Sequence, residues 1–212
     1  MSDNKYYATR FSFDKGREKI WKEIAAYLQR YIPRDSIVLD LGAGYCSFIN
    51  NIKAKEKYAL DLYRDFTKYA SNDVKAFVSN CTDLKKFKNN NFDVVFLSNL
   101  LEHLSIEEAE STLNEIYRVL KPKGKVILIQ PNFKYSHKTY FDDYTHKTIY
   151  TDISLADLLK KHKFNIIKQD GKFLPFSLKS RLPKSGFLVR IYLRMPYRPM
   201  AKQMLIIGEK VD

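Results

Sequence analysis

The sequence predicts an α/β fold with helices on both faces of a mostly parallel sheet, and three observations predict it. Short runs rich in β-branched or aromatic residues recur along the chain: SIVLDL, KYALDL, VKAFVS, FDVVFLS and KVILIQ. The stretches between them carry helical spacing, and such alternation is what a parallel sheet needs for its crossovers. A glycine-rich bend, Gly42-Ala43-Gly44, follows the first of these runs directly.

From Asp14 to Tyr31, Ile20, Ile24, Ala25, Tyr27, Leu28 and Tyr31 share one helical face, and Pro33 stops the helix. After the bend a further helix is expected from about Tyr45. IEEAESTLNEIYRVL repeats Ala109, Leu113, Ile116, Tyr117 and Leu120 at three- and four-residue steps, with Ser105 placed to cap its start. KPKG ends that helix, with Gly124 expected to take the left-handed conformation of a tight turn. SLADLLKKHKF is a second clear helix, followed by strand NIIKQD, and MLIIGEK is a last strand. Residues 131–150 are polar, aromatic and longer than an ordinary connection, which marks a functional loop. Residues 171–200 carry Pro175, Pro183, Pro196 and Pro199 and read as an insertion before the last strand.

Length and composition narrow the class. A chain of 212 residues accommodates one α/β domain, expected over 1–212, with a substantial core. Hydrophobic content of 45% and charged content of 29% argue against disorder or a fibrous class. No apolar run is long enough to span a bilayer, and the polar start MSDNKYYATR lacks a signal-peptide core, so a cytoplasmic location is expected. Cys46 and Cys81 fit no Cys-x-x-Cys or Cys/His zinc pattern and are expected to be reduced thiols. A formal net charge of +13 implies an anionic partner without naming it.

The bend carries the chemistry. Glycines let the backbone turn sharply and approach a ligand, and amides at a helix start favour a carboxylate or phosphate. Asp61 ends the next strand, where an acidic side chain can accept both hydroxyls of a ribose. A dinucleotide fingerprint asks for a third glycine where this chain has Ser47, so a nicotinamide cofactor is disfavoured. Asp40-Leu41-Gly42-Ala43-Gly44 resembles motif I of class I S-adenosylmethionine methyltransferases, and that family's other landmarks follow in order. NCTDL, Asn80 to Leu84, is similar to the motif usually written D-A-x-D-L, with Asn80 for the commoner acid and Cys81 for the commoner alanine. FDVVFLSNLLEHL resembles the strand and loop that pass under the sulfonium.

The resemblance extends over a cofactor-binding core of 36–130, more weakly to the last strand. It implies a three-layer αβα Rossmann-like sheet of seven strands with the last antiparallel, and an N-terminal helix, 14–31, over the cofactor. It implies S-adenosyl-L-methionine as cofactor. Gly42 and Gly44 then line its methionine moiety, Asp40 orients the bend, and Asp61, with Leu62 beside it, holds the ribose. Asn80 and Cys81 contact the adenine, and Ser98 and Asn99 touch the methionine end.

Methyl transfer needs an aligned nucleophile and, for a hydroxyl, a proton acceptor. His103 is the first candidate base. The loop 131–150 adds His137, Tyr140, Asp142, Asp143 and His146, among which an Asp/His pairing would strengthen an imidazole base. The catalytic expectation is therefore His103, His137, Asp143 and His146. Glu102 and His103 with a later histidine also resemble metal-binding small-RNA ribose methyltransferases. That pattern wants an acid where this chain has Asn99, so no metal is expected. Arg17 is weighed as a partner for the cofactor carboxylate, against an exposed helix charge.

From Lys172 to Gly208 the chain holds eight basic residues, Lys172, Lys179, Arg181, Lys184, Arg190, Arg194, Arg198 and Lys202, and no acidic one. Interleaved Phe187, Leu188 and Ile191 give this stretch the composition of a segment drawn to anionic headgroups or a phosphorylated substrate. The favoured acceptor is a small anionic, sugar or lipid-linked molecule, with peripheral contact to an anionic membrane surface. FLPFSLKSRLP loosely resembles tails of bacterial methyltransferases of cell-surface glycan synthesis. Nucleic acid ranks lower because no RNA-binding module accompanies the domain. An RNA methyltransferase and a non-catalytic cofactor-binding subunit are the rival readings.

Overall fold

A computed structural model describes residues 13–175 and 185–211. Its centre is a seven-stranded sheet in the order β3-β2-β1-β4-β5-β7-β6. The strands are β1 (Ile37–Leu41), β2 (Glu56–Asp61), β3 (Val74–Val78), β4 (Phe92–Ser98), β5 (Leu120–Pro131), β6 (Phe164–Pro175) and β7 (Ala201–Lys210). The first five run parallel, and β7 lies between β5 and β6, antiparallel to both. The expected seven strands with the last antiparallel are thus present.

Strand alternation sorts the apolar residues into two cores. Leu39, Leu41, Val95, Leu97, Val126 and Leu128 point to one face. There they meet α2 (Ile106–Val119) and α4 (Asp152–Lys161), with the one-turn α3 (Phe133–Ser136) between them in the chain, through Leu113, Ile116, Leu155 and Leu159. Val38, Val94, Phe96, Ile127, Ile129 and Leu205 point to the other. There α1 (Lys15–Leu28) covers them with Ile20, Ile24 and Leu28, joined by Leu193 of α5 (Gly186–Arg194). Residues buried on a period of two in the strands and of three to four in the helices produce the three layers.

Local signals fix the helix ends. Asp14 caps α1 by accepting from the Gly16 amide at 2.8 Å, and the predicted 14–31 helix finishes as a 3-10 turn over Gln29–Tyr31. At α2, Ser105 Oγ accepts from the Glu108 amide at 3.2 Å while Glu108 Oε2 accepts from the Ser105 amide at 2.8 Å, the reciprocal pair of a capping box. Ser105→Ala is expected to cost about 1 kcal/mol, read as a lower urea midpoint with an unchanged slope.

Four expectations are corrected. No α-helix follows the glycine bend: Cys46 sits at φ 56°, which breaks a right-handed ladder, and only a 3-10 turn forms at Ile49–Asn51. The β2–β3 connection holds a 3-10 turn, Arg64–Tyr69, and the β3–β4 connection no helix at all. In the turn after α2 the left-handed residue is Lys123, at φ 59°, and not Gly124. The stretch 171–200 is not all insertion, because residues 171–175 extend β6 and 186–194 form α5. Phe176, Lys179, Arg181, Pro183 and Lys184 of that stretch lie outside the described residues.

Candidate active site

The parallel register brings the carboxyl ends of five strands into one line. Leu41 pairs with Leu60 and Leu97, Asp61 with Val78, and Ser98 with Ile129. Whatever follows β1, β2, β4 and β5 therefore meets along one edge, where open α/β sheets bind ligands. Gly42, Asp61, Asn99 and the 131–150 loop all lie there.

The bend is built as glycine requires. Gly42 and Gly44 take φ values of 74° and 54°, and a Cβ at Gly42 would come within 3.2 Å of both Leu100 δ-carbons. The Gly42 and Ala43 amides donate to the Leu60 carbonyl at 2.8 and 3.1 Å, which pins the bend to β2. Asp61 completes the tie: its Oδ2 accepts from the Gly44 amide and its Oδ1 from the Tyr63 amide, each at 2.8 Å. Without a helix after the bend there is no helix N-terminus there to receive an anion, contrary to expectation. Ser47, at the position of the missing third glycine, donates to Glu18 of α1, which holds that helix against the bend.

Asp40 is 2% exposed on the α1 face of β1. Burial first, then the neighbouring Asp61 charge, pushes its carboxyl well above the usual carboxylate range, opposed by the Ile49 amide. A carboxyl raised in the folded state binds protons more tightly there than in the unfolded chain. Its contribution to stability is present at acid pH and is lost as pH rises from the unfolded value of 3.8 through the raised folded one. Asp40→Asn should therefore flatten the fall in unfolding free energy with rising pH and stabilise the chain at neutral pH. Urea denaturation at several pH values checks this, and an unchanged slope would contradict it.

Around the bend the other predicted cofactor residues are disposed unequally. Leu62 is 55% exposed beside Asp61. Asn80 is exposed, but its Oδ1 accepts from the Thr82 amide at 3.0 Å, so the carboxamide shapes its own loop. Cys81 is buried against Thr112 of α2, whose hydroxyl lies 3.7 Å from the sulfur. Cys46 and Cys81 are both free thiols, and burial pushes both thiol pKa values up. Asn99, at φ 49°, accepts from Gln203 of β7 at 2.7 Å and donates to Ser98 Oγ at 3.2 Å. Gln203 drew no attention in the sequence, because nothing local links it to a residue more than a hundred positions away.

The acceptor-side residues converge because the loop is strapped to the turn after β4. The Lys147 and Thr148 amides donate to the Glu102 carbonyl at 2.7 and 3.2 Å, and Thr148 Oγ1 donates to the Leu104 carbonyl at 2.6 Å. This sets the His103 and His146 rings 5.0 Å apart, centroid to centroid. Thr145 Oγ1 lies 2.6 Å from Asp143 Oδ1 and 2.9 Å from His103 Nδ1. A carboxylate only accepts, so the one hydroxyl proton goes to Asp143, and His103 Nδ1–H donates to Thr145. His146 Nδ1 lies 2.6 Å from the Tyr140 carbonyl, which likewise makes it the protonated nitrogen. Burial pushes His103 down to about 4 and Glu102 up to about 8. His137 is exposed, near Phe133, and Asp142 is exposed too, so neither joins this group. Thr145 was missed, since a threonine between Asp143 and His146 carries no signal of its own in a sequence.

The layers, the strand order and the glycine bend facing an acidic strand end define a Rossmann-like methyltransferase fold. Residues 39–128 match the family described as Methyltransferase domain, a segment that runs from β1 into β5 and includes Gly42, Gly44, Asp61 and His103. Over 116 residues the chain is 36% identical to an uncharacterized protein of Methanocaldococcus jannaschii, covering 54% of this chain and 50% of that protein. It is 27% identical over 150 residues to the phosphoethanolamine N-methyltransferase of Plasmodium falciparum, covering 64% of this chain and 56% of that protein. The chain thus spans about half the length of these curated relatives. The solved structure of a SAM-dependent methyltransferase from Archaeoglobus fulgidus superposes with a TM-score of 0.65 at 23% identity, covering 90% of this chain and 94% of that one.

Proposed function

We propose that this chain is an S-adenosylmethionine-dependent methyltransferase acting on an oxygen of a small anionic, sugar or lipid-linked acceptor. The observation that carries the reading is the bend of Gly42 and Gly44 tied to Asp61 on the same sheet edge as the strapped Glu102, His103 and His146 group. The cofactor supplies an activated methyl group on a sulfonium. Two left-handed glycines keep the bend free of side chains, and Asp61 presents a carboxylate to ribose hydroxyls. Asp40 supports the bend from below, Gly42 and Gly44 line the amino-acid tail, and Ser98 and Asn99 flank its methyl end. Leu62, Asn80 and Cys81 frame the base.

On the acceptor side, Asp143 acts through Thr145 to orient His103, and the Tyr140 carbonyl orients His146. Both imidazoles are set to take a proton at Nε2, and the low pKa of His103 keeps it neutral at physiological pH. His137, exposed on the loop, is assigned to acceptor contact. The small-molecule class is favoured by the relative named for phosphoethanolamine and by the excess of cationic side chains. No helix among the described residues is long and apolar enough to cross a membrane. Peripheral contact instead fits α5, which exposes Phe187, Leu188 and Ile191 beside Arg194. An acceptor of cell-surface glycan synthesis falls within the same anionic class.

His103→Ala is expected to lower turnover by at least about 100-fold with S-adenosylhomocysteine affinity unchanged. The assay gives radiolabelled S-adenosylmethionine with phosphoethanolamine, lipid-linked sugar and RNA fractions in turn. Label in the first two supports the reading. Label confined to RNA overturns the acceptor class, and no label in any fraction from a cofactor-binding protein overturns the enzyme.

A further inference from the structure

Three side chains of metal-ligating type meet where the 131–150 loop is strapped to the turn after β4. Glu102, His103 and His146 each offer one ligand atom, and the three atoms lie within 4.8 Å of one another. Two neutral imidazoles and one carboxylate form a donor set suited to a first-row divalent cation, with coordination positions left open. Donors 2.0–2.2 Å from a cation stand about 3–3.5 Å apart, so small ring rotations would close this group around one.

Two observations independent of the spacing point to a ligand. Glu102 is 1% exposed, and its buried Oε2 has no hydrogen-bond partner among the described residues. A buried carboxyl oxygen without a partner costs free energy, which a bound proton or a bound cation removes. The imidazoles, for their part, are held as metal-ligating histidines are held, each spending its Nδ1–H on an outer acceptor. His103 donates to Thr145, which is itself anchored on Asp143, and His146 donates to the Tyr140 carbonyl. This arrangement fixes both tautomers so that the lone pair lies on Nε2. A histidine pair serving only to pack would need neither the shared tautomer nor the buried acid between them. Asn99, where the resembling pattern has an acid, spends its carboxamide on Gln203 and Ser98.

We propose that Glu102, His103 and His146 bind a divalent transition-metal ion of the zinc class, with Thr145, Asp143 and the Tyr140 carbonyl as the outer shell that orients the two rings. Its open positions accept an oxygen of the acceptor. That last clause rests on the methyl-transfer reading, in which the cation lowers the pKa of a coordinated hydroxyl and its proton leaves to solvent. With the cation bound the two Nε2 atoms are its ligands, and the proton-accepting role given to them above belongs to the chain without it.

The test is a cobalt titration of the untagged full chain, followed by visible absorption, with S-adenosylhomocysteine calorimetry in parallel. One Co²⁺ per chain is expected, with ligand-field bands in the visible and displacement by Zn²⁺. His146→Ala and Glu102→Gln should abolish the bands, Thr145→Val should weaken binding about 10- to 100-fold, and His137→Ala should leave it unchanged. Should the ligand variants fail to fold, Thr145→Val and His146→Asn carry the comparison. A wild-type chain that binds S-adenosylhomocysteine without cobalt bands overturns the metal site and leaves the methyltransferase reading standing. Cobalt binding that survives His146→Ala also overturns it. Cobalt binding without any affinity for the cofactor supports the site and overturns the other reading.

Discussion

Asp61→Ala is expected to weaken S-adenosylhomocysteine binding by at least about 100-fold. The carboxylate accepts from the Gly44 and Tyr63 amides at 2.8 Å each, so its loss unties the bend from β2. It also removes the group assigned to the ribose hydroxyls. Hydrogen bonds to a charged group contribute about 1.5–3 kcal/mol each, and two of them account for an effect of this size. Asp61→Asn keeps an acceptor oxygen at the same place and should lose less. Isothermal calorimetry measures both, with urea denaturation confirming that each variant is folded. An Asp61→Ala chain of unaltered affinity would remove the cofactor assignment.

Phe96→Ala should lower the unfolding free energy by about 3–5 kcal/mol, a large part of what holds an ordinary domain folded. Phe96 is 1% exposed on β4, stacked on Phe48 at 3.6 Å between ring centroids and met edge-on by Trp21 of α1 at 6.2 Å. The three rings join the N-terminal helix, the central strand and the segment after the glycine bend. Removing the middle one leaves a cavity under that segment, so cofactor affinity should fall along with stability. Phe96→Leu, which refills most of the volume, should cost about 1 kcal/mol. Chemical denaturation separates these outcomes, and a loss below 1 kcal/mol for the alanine variant would show that the stack is not a support of the fold.

Much of this architecture is local and therefore readable from the residues in order. The runs that became β1, β2, β4 and β5 are short, apolar and β-branched, and α2 announces itself by its apolar period and Ser105. Gly42 and Gly44 need φ values that few other residues accept, so a pair after a strand marks the bend without knowledge of its surroundings. Where local reading failed, it failed for a stated cause. The segment after Gly44 has helix-compatible residues, yet Phe48, Ile49 and Ile52 are drawn under α1 and Cys46 turns left-handed to let them reach it. Lys123 occupies the left-handed position expected of Gly124 because the turn's geometry, set by where β5 pairs with β4, chooses the residue.

Residue order was enough for the alternation of strand and helix and for the placement of Gly42, Gly44 and Asp61 at strand ends, while the antiparallel final strand came from the family resemblance. Periodicity and steric permission act within a few residues, so they survive reading one residue at a time. Packing of the folded chain is what puts the His103 and His146 rings side by side, links Asp143 to one of them through Thr145, and buries Glu102 beside both. Those meetings depend on a loop pinned across 40 or so residues by the Glu102 and Leu104 carbonyls, and no spacing along a chain encodes a hydrogen bond of that reach.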